Sequence, residues 1–278
     1  MKTQAAVVVE AGIVQEVGPG VTRVKVGDHV VCSFIPNCGT CRYCASGQQS
    51  ICDMGAAILE GYLPGERFPI TGPRGDYGAM CMLGTFSQYG VIHQNSCVKV
   101  DDDLPLEKAV LVGCGVPTGW GAAVNTANVK AGQTVLVVGV GGIGINAVQG
   151  ARLAGAKNII AIDPLENKRE KAMELGATHS FASTEEAMEA VTDLTRGQMA
   201  DSAILTPGLM TSEIVAGGFN AIGKGGVVVL TGINKLEEQN IELPGSIMTL
   251  FRKSLKGSLF GDCNPTVDIP RILGLYQS

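Results

Sequence analysis

A chain of 278 residues with 45% hydrophobic and 17% charged residues has enough apolar material for a packed core and too little charge for a disordered segment. Its net charge of −5 offers no basic stripe to neutralise a phosphate backbone, so no nucleic-acid partner is expected. Length suits two domains of about 100–200 residues each. The opening Met1-Lys2-Thr3-Gln4-Ala5-Ala6-Val7-Val8-Val9-Glu10 stops its apolar run at a glutamate, too early for a signal-peptide core. No uncharged apolar run reaches the roughly 18–20 residues needed to span a bilayer. A cytoplasmic protein without a membrane partner is expected, and 38 glycines with 5% aromatics lean towards α/β architecture.

In chain order, Val24–Cys32 reads as a turn feeding a strand, and residues 55–84, rich in Gly and Pro, read mainly as loop. Phe86–Ile92 and Ser96–Val100 are further short strands. The texture changes near Gly115. Strands expected at Thr134–Val138, Asn158–Ile162, Ser202–Thr206 and Val227–Thr231 alternate with helices at Ile143–Ala154, Glu166–Leu175, Thr184–Leu194 and Met210–Ile222. Ser183 with Glu186 fits a capping box, and Gly176 sits where a helix-ending glycine belongs. Alternating β and α with doubly buried strands predicts a doubly wound parallel sheet covered by helices on both faces.

Cys38, Cys41, Cys44 and Cys52 follow the spacing C-x2-C-x2-C-x7-C. One tight loop, helped by Gly39 and Gly47, can present four thiolates to a tetrahedral Zn²⁺, and a site closed by sulfur on all sides is structural. Four unrelated reduced cysteines, or an iron–sulfur cluster, are the competing explanations. Cys32, Cys81, Cys97 and Cys263 do not group and read as small buried apolar residues.

Gly139-Val140-Gly141-Gly142-Ile143-Gly144 matches G-x-G-x-x-G between a strand and a helix, and Asp163 ends the next strand 19 residues after Gly144. Gly139 would permit the tight turn, Gly141 close approach of a pyrophosphate, and Gly144 close helix–strand packing. The phosphates would lie on the amides of the helix N-terminus, Gly142 and Ile143 among them. Asp163 would accept the ribose hydroxyls and repel a 2′-phosphate, favouring NAD over NADP. Lys168 is counted among the cofactor residues, and Lys168 with Arg169 is close enough in sequence to soften that preference. A doubly wound domain without a nucleotide is the alternative.

These two motifs in this order resemble the zinc-containing medium-chain alcohol dehydrogenases. Gly113-Cys114-Gly115-Val116-Pro117-Thr118-Gly119-Trp120-Gly121 resembles the family segment with one catalytic-zinc cysteine and a threonine near the nicotinamide. Gly84-Thr85-Phe86-Ser87-Gln88-Tyr89 and Leu259-Phe260-Gly261 match as well. Within the family the likeness is greatest to the bacterial class III-like branch, which includes nitrosodimethylaniline-dependent alcohol dehydrogenases. The resemblance implies a β-rich GroES-like catalytic domain over residues 1–115 with a structural zinc lobe. A Rossmann NAD-binding domain would follow over 116–259, then a return to the catalytic domain over 260–278. It also implies zinc-assisted hydride transfer between a primary alcohol, or an aldehyde adduct, and NAD, with Cys114 on the catalytic zinc and Thr118 orienting the nicotinamide. A homo-oligomer is expected.

The departures from the family are equally specific. Its first catalytic cysteine, in a Gly-x-Cys-x-Ser-Asp stretch, and its Gly-His-Glu stretch have no counterpart here, and His29, His93 and His179 lie in other contexts. Thr3–Glu10 resembles the family's opening strand, whereas Ala11–Gly18 resembles the segment after Gly-His-Glu, so the sequence reads as two distant pieces joined at Glu10–Ala11. Asp268–Ser278 reads as a helix without a stop signal. The expectation is a protein shortened at both places and inactive on alcohols as written. A zinc-free quinone or enone reductase on the same fold, or a non-catalytic NAD-binding protein, are the alternatives.

Overall fold

The computed structural model describes residues 5–8, 11–55, 61–62, 68, 70–85, 88–233 and 240–278. They gather into two compact units, Met1–Cys114 with Cys263–Ser278, and Gly115–Asp262. Val9 and Glu10, on one side of the expected junction, lie outside the described residues.

The first unit is built from short antiparallel strands: β1 (Ala5–Val8), β2 (Ala11–Ile13), β3 (Glu16–Val17), β4 (His29–Cys32), β5 (Ile70–Gly72), β6 (Gly75–Tyr77), β7 (Gly90–His93) and β8 (Cys97–Lys99), with short helices α1 (Arg42–Ala45) and α2 (Leu106–Ala109). Strand β1 lies between β3 and β7, β4 lies between β2 and β8, and β5 pairs with β6. Val14, Val24, Val30, Cys32, Ile92 and Cys97 form a small core. The turn into β4 is held by Asp28, which accepts the Lys25 N–H at 2.9 Å and the Lys99 ammonium at 2.7 Å. Two expectations need correction. The strand expected at Phe86–Ile92 starts later, at Gly90, and Phe86 and Ser87 lie outside the described residues. The stretch 55–84, expected as loop, contains the β5–β6 hairpin, whose three-residue strands are too short to show a period of two.

The second unit opens with α3 (Gly115–Gly121), which runs into a π-helical turn over Ala122–Thr126. It continues through β9 (Thr134–Val138), α4 (Gly142–Leu153), β10 (Asn158–Ile162), α5 (Glu166–Glu174), β11 (His179–Phe181) and α6 (Thr184–Leu194). Then come β12 (Ala200–Leu205), α7 (Ser212–Ala221), β13 (Ile222–Leu230), α8 (Gly245–Leu250) and β14 (Ser254–Gly257). The sheet order is β11-β10-β9-β12-β13-β14 and every pairing is parallel. Alternate residues of β9, β10 and β12 enter opposite layers. Val135, Val137, Ile159, Ala161 and Ile204 pack with Ala147, Val148 and Ala151 of α4. Leu136, Val138, Ile160, Ile162, Ala203 and Leu205 pack with Ala187 and Val191 of α6 and Val215 and Phe219 of α7. Each large aliphatic or aromatic side chain buried this way contributes about 1.5–3 kcal/mol. This is the doubly wound Rossmann arrangement, and the first unit is the β-rich GroES-like one.

The caps follow the sequence with one shift. The Ser183 hydroxyl accepts the Glu186 N–H at 3.3 Å, but the Glu186 carboxylate returns to the Ala182 N–H rather than to Ser183. Gly176 ends α5 with φ +120°. The edge strand β14 escaped the sequence reading because its four residues are only partly buried or exposed. The chain rejoins the first unit at Cys263 and ends in α9 (Pro265–Gln277), capped by the Asn264 side chain on the Thr266 N–H. No helix among the described residues is long and apolar enough to cross a membrane.

Candidate functional site

The cysteine loop turns twice on residues that need positive φ, Gly39 at +78° and Gly47 at +83°. Between them the Cys41 sulfur caps α1 by accepting the Cys44 N–H at 3.4 Å. The Cys38 sulfur accepts the N–H groups of Thr40 at 3.4 Å and Cys41 at 3.2 Å, and the Cys38 N–H reaches the Cys52 sulfur at 3.4 Å. All four sulfurs lie within 4.8 Å of one another, with Cys38 and Cys44 at 3.9 Å. Tetrahedral zinc–thiolate bonds of about 2.3 Å put sulfurs about 3.8 Å apart, so the four positions fit one zinc ion. Burial of Cys38 opposes ionisation, but the N–H groups of Thr40 and Cys41 outweigh it and bring its thiol down to about 6. Burial pushes Cys52 up to about 12.

Among the described residues, this is the one group of three or more His, Cys, Asp or Glu side chains placed to hold a metal. Cys114, exposed between the helical turn Val110–Gly113 and α3, is outside it. A catalytic zinc needs three protein ligands and an open position, and the described residues do not assemble that set around Cys114. Cys32, Cys97 and Cys263 are buried, as expected of small apolar residues. Cys81 is not: it is half-buried with φ +53°, a turn residue rather than core. His29 is a half-buried residue at the start of β4, where the turn of Val24–Cys32 feeds the strand, and it belongs to no metal-binding group among the described residues.

The second constellation lies at the C-terminal end of the parallel sheet. Strand order reverses between β9 and β12, and open α/β sheets bind ligands in the crevice at such a point. Gly139 leaves β9 with φ +79°. A Cβ on Gly144 would overlap the Gly139 carbonyl oxygen, so only glycine lets α4 start this close to the strand. At Gly141 and Gly142 a Cβ would meet no protein atom within 4 Å. The N-terminus of α4 therefore faces open space, has no side-chain cap, and presents unpaired amides suited to a pyrophosphate. Ile143 lies half-buried in the first turn of α4. Thr118 is buried on α3, which packs tightly on α4 because a Cβ on Gly119 would overlap the Ile143 carbonyl and one on Gly150 would come within 2.8 Å of the Trp120 carbonyl.

Asp163 is 4% exposed at the end of β10. Its Oδ2 accepts the Val140 N–H, inside the glycine turn, at 3.0 Å, and its Oδ1 accepts the Leu165 N–H at 3.0 Å. The Lys168 ammonium stands 3.7 Å from Oδ2. Two carboxylate oxygens offer about four acceptor sites, so capacity remains for ribose hydroxyls. Residue 163 is thus joined to the glycine turn, and the two ends of the motif form one surface. Sequence reasoning missed Thr206, which follows β12 across the crevice. Its hydroxyl donates to the Gly139 carbonyl, and its N–H to the Val138 carbonyl at 2.9 Å. Its place just after the fourth strand of the unit was the available signal.

Two family models match the chain. A GroES-like alcohol dehydrogenase domain matches residues 8–102, and a zinc-binding dehydrogenase domain matches residues 142–277. The chain is 61% identical over 268 residues to the NDMA-dependent alcohol dehydrogenase of Amycolatopsis methanolica, covering 96% of this chain and 72% of that protein. It is 43% identical to alcohol dehydrogenase B of Mycobacterium tuberculosis, over 96% of this chain and 72% of the relative. Among solved structures, an alcohol dehydrogenase zinc-binding domain protein from Burkholderia ambifaria superposes with a TM-score of 0.87 at 32% identity, covering 96% of this chain and 72% of the other. Benzyl alcohol dehydrogenase from Acinetobacter calcoaceticus gives 0.84 at 30% identity, covering 97% and 73%. These relatives favour the alcohol dehydrogenases over the zinc-free reductases. With its four-thiol cluster, its glycine turn at the sheet reversal and these relatives, the chain belongs to the zinc-containing medium-chain alcohol dehydrogenases, zinc-dependent oxidoreductases that act on alcohols and typically use NAD.

Proposed function

We propose that this chain provides the NAD-binding and structural-zinc framework for hydride exchange between NAD and a primary alcohol or an aldehyde adduct. Gly139, Gly141, Gly142, Ile143 and Gly144 receive the pyrophosphate, Asp163 with Lys168 receives the adenosine ribose, and Thr118 orients the nicotinamide. Bound NAD supplies the hydride acceptor. Cys38, Cys41, Cys44 and Cys52 hold a zinc ion that ties the loop together. Cys114 is the one alcohol-side zinc ligand we assign. The described residues do not complete its ligand set. The working protein is a homo-oligomer of the cytoplasm that acts on a small molecule.

The observation that carries this reading is the hydrogen bond from the Val140 N–H to Asp163, which joins the phosphate turn to the ribose acceptor at the sheet reversal. A substitution at Gly141 tests it, because a Cβ there meets no protein atom within 4 Å while a side chain fills the space before the α4 amides. Gly141→Val is expected to fold with an unchanged melting temperature and to lose NADH binding in a fluorescence titration. Unchanged NADH affinity in a folded Gly141→Val protein would place the cofactor elsewhere.

A further inference from the structure

Two cations, Lys168 and Arg169, lie in or just after the first turn of α5, where the helix dipole favours acidic side chains. Lys168 is accounted for by Asp163. Arg169 reaches the backbone of the same turn instead. Its Nη1 donates to the backbone carbonyl of Asp163 at 2.8 Å and to that of Pro164 at 3.0 Å. One guanidinium nitrogen thus bridges two successive carbonyls at the end of β10. The same three-residue turn is closed from inside by the Asp163 carboxylate, whose Oδ1 accepts the Leu165 N–H at 3.0 Å. The direction of this carboxylate therefore depends on where residues 163–165 sit, and Arg169 fixes the carbonyl side of that turn.

We infer that Arg169 is a positioning residue for cofactor choice. It holds the Asp163 turn so that the carboxylate stays opposite the ribose, and it thereby enforces NAD over NADP instead of relaxing that preference as a phosphate-binding arginine would. The inference rests on Asp163 being the ribose acceptor. A planar guanidinium with two hydrogens on one nitrogen suits the paired carbonyls, and a lysine at this position keeps the charge without the fixed geometry. With the turn loosened, the carboxylate both loses its alignment with the ribose hydroxyls and repels a 2′-phosphate less.

The test is a fluorescence titration of NADH and NADPH against the wild-type chain, Arg169→Met, Arg169→Lys, Asp163→Asn and the Met/Asn double variant, with a thermal melt of each. Arg169→Met is expected to weaken NADH about tenfold while NADPH changes little or tightens, so the preference for NADH shrinks about tenfold. Arg169→Lys should recover part of that loss, and in the Asp163→Asn background Arg169→Met should leave the preference where it is. Loss of NADPH with NADH retained would overturn the inference, because Arg169 would then be reading the phosphate. An equal loss of both would leave it a purely structural role, and no change would make it a solvated surface group; either result also overturns the inference. Where Arg169→Met does not fold, Arg169→Lys alone decides, with a preference reduced at least threefold expected and an unchanged one contrary. The Asp163→Asn arm separates the underlying reading: unaltered NADH affinity there removes Asp163 from the ribose site, whereas weakened affinity beside an inert Arg169 sinks only the present inference.

Discussion

Within the Gly115–Asp262 unit, β9 and β10 are buried at every position, and their side chains pack alternately into two layers of helices. The loop from Cys38 to Cys52 buries Cys44, Ser50 and Cys52 and no large aliphatic side chain, while Ile51 stays 41% exposed. The sheet is stable through apolar area removed from water, a term spread over dozens of residues. The loop has almost none of that area, and what gathers it is four sulfurs in one place. The two regions should therefore respond to opposite perturbations.

The largest separation is expected from the thiol cluster. Binding free energy at a structural zinc site is folding free energy, about 10–16 kcal/mol in small zinc-dependent folds. Cys44→Ser should take the zinc content from one ion per chain to none and abolish hydrogen-exchange protection across residues 38–52. Protection across β9, β10 and β12 should remain. Retained zinc would show that the cluster is not the metal site.

Next in size is a cavity in the sheet unit. Phe219 is fully buried between α7 and the strands. Phe219→Ala should cost about 3–5 kcal/mol in denaturant unfolding while the zinc content stays at one ion per chain. A simultaneous loss of zinc would mean that the two regions are not separable in this way.

A smaller effect is expected at Asp163, where function rather than folding is at stake. Hydrogen bonds to a charged group contribute about 1.5–3 kcal/mol, so Asp163→Ala should weaken NADH roughly 10–150-fold with zinc unaffected. Isothermal titration of NADH with the variant checks this, and an unchanged affinity would contradict the assignment.

The smallest effect concerns acid. Burial of Asp28 works against its charge, but the Lys99 ammonium and the Lys25 N–H outweigh that and hold its carboxyl below the usual carboxylate value. A depressed folded-state pKa means that its stabilisation is present above the unfolded value, near 3.8, and is lost as pH falls through the folded value. Chemical denaturation of the wild-type chain should therefore show stability declining below about pH 4, with Asp28→Asn flattening the decline by one proton. An identical slope in the variant would assign the titration to other carboxylates.

The alternation of apolar runs with helical patterns was legible because the central strands β9 and β10 of the parallel sheet are buried on both faces. Thr134–Val138, Asn158–Ile162 and Thr184–Leu194 fall where the periodicity puts them. The cysteine spacing and the glycine turn were legible for a related reason: their chemistry is local, set by residues a few positions apart. The β5–β6 hairpin and β14 were not legible, since strands of three or four residues with mixed exposure show no period. The position of Cys81 also escaped, because a cysteine in a left-handed turn looks in sequence like any small apolar residue.

By itself the sequence determined which residues are available to zinc and to a dinucleotide, through spacings that a single loop or turn satisfies without help from the rest of the chain. What only the tertiary structure decided was long-range placement: the sheet order that reverses between β9 and β12, the reach of Asp163 back to the Val140 amide, and the Thr206 hydroxyl on the Gly139 carbonyl. The reason is physical. A hydrogen bond between residues 23 or 67 positions apart exists only after strands have paired and their helices have packed. Strand pairing in a parallel sheet depends on the burial of both faces together, which no local pattern of residues encodes.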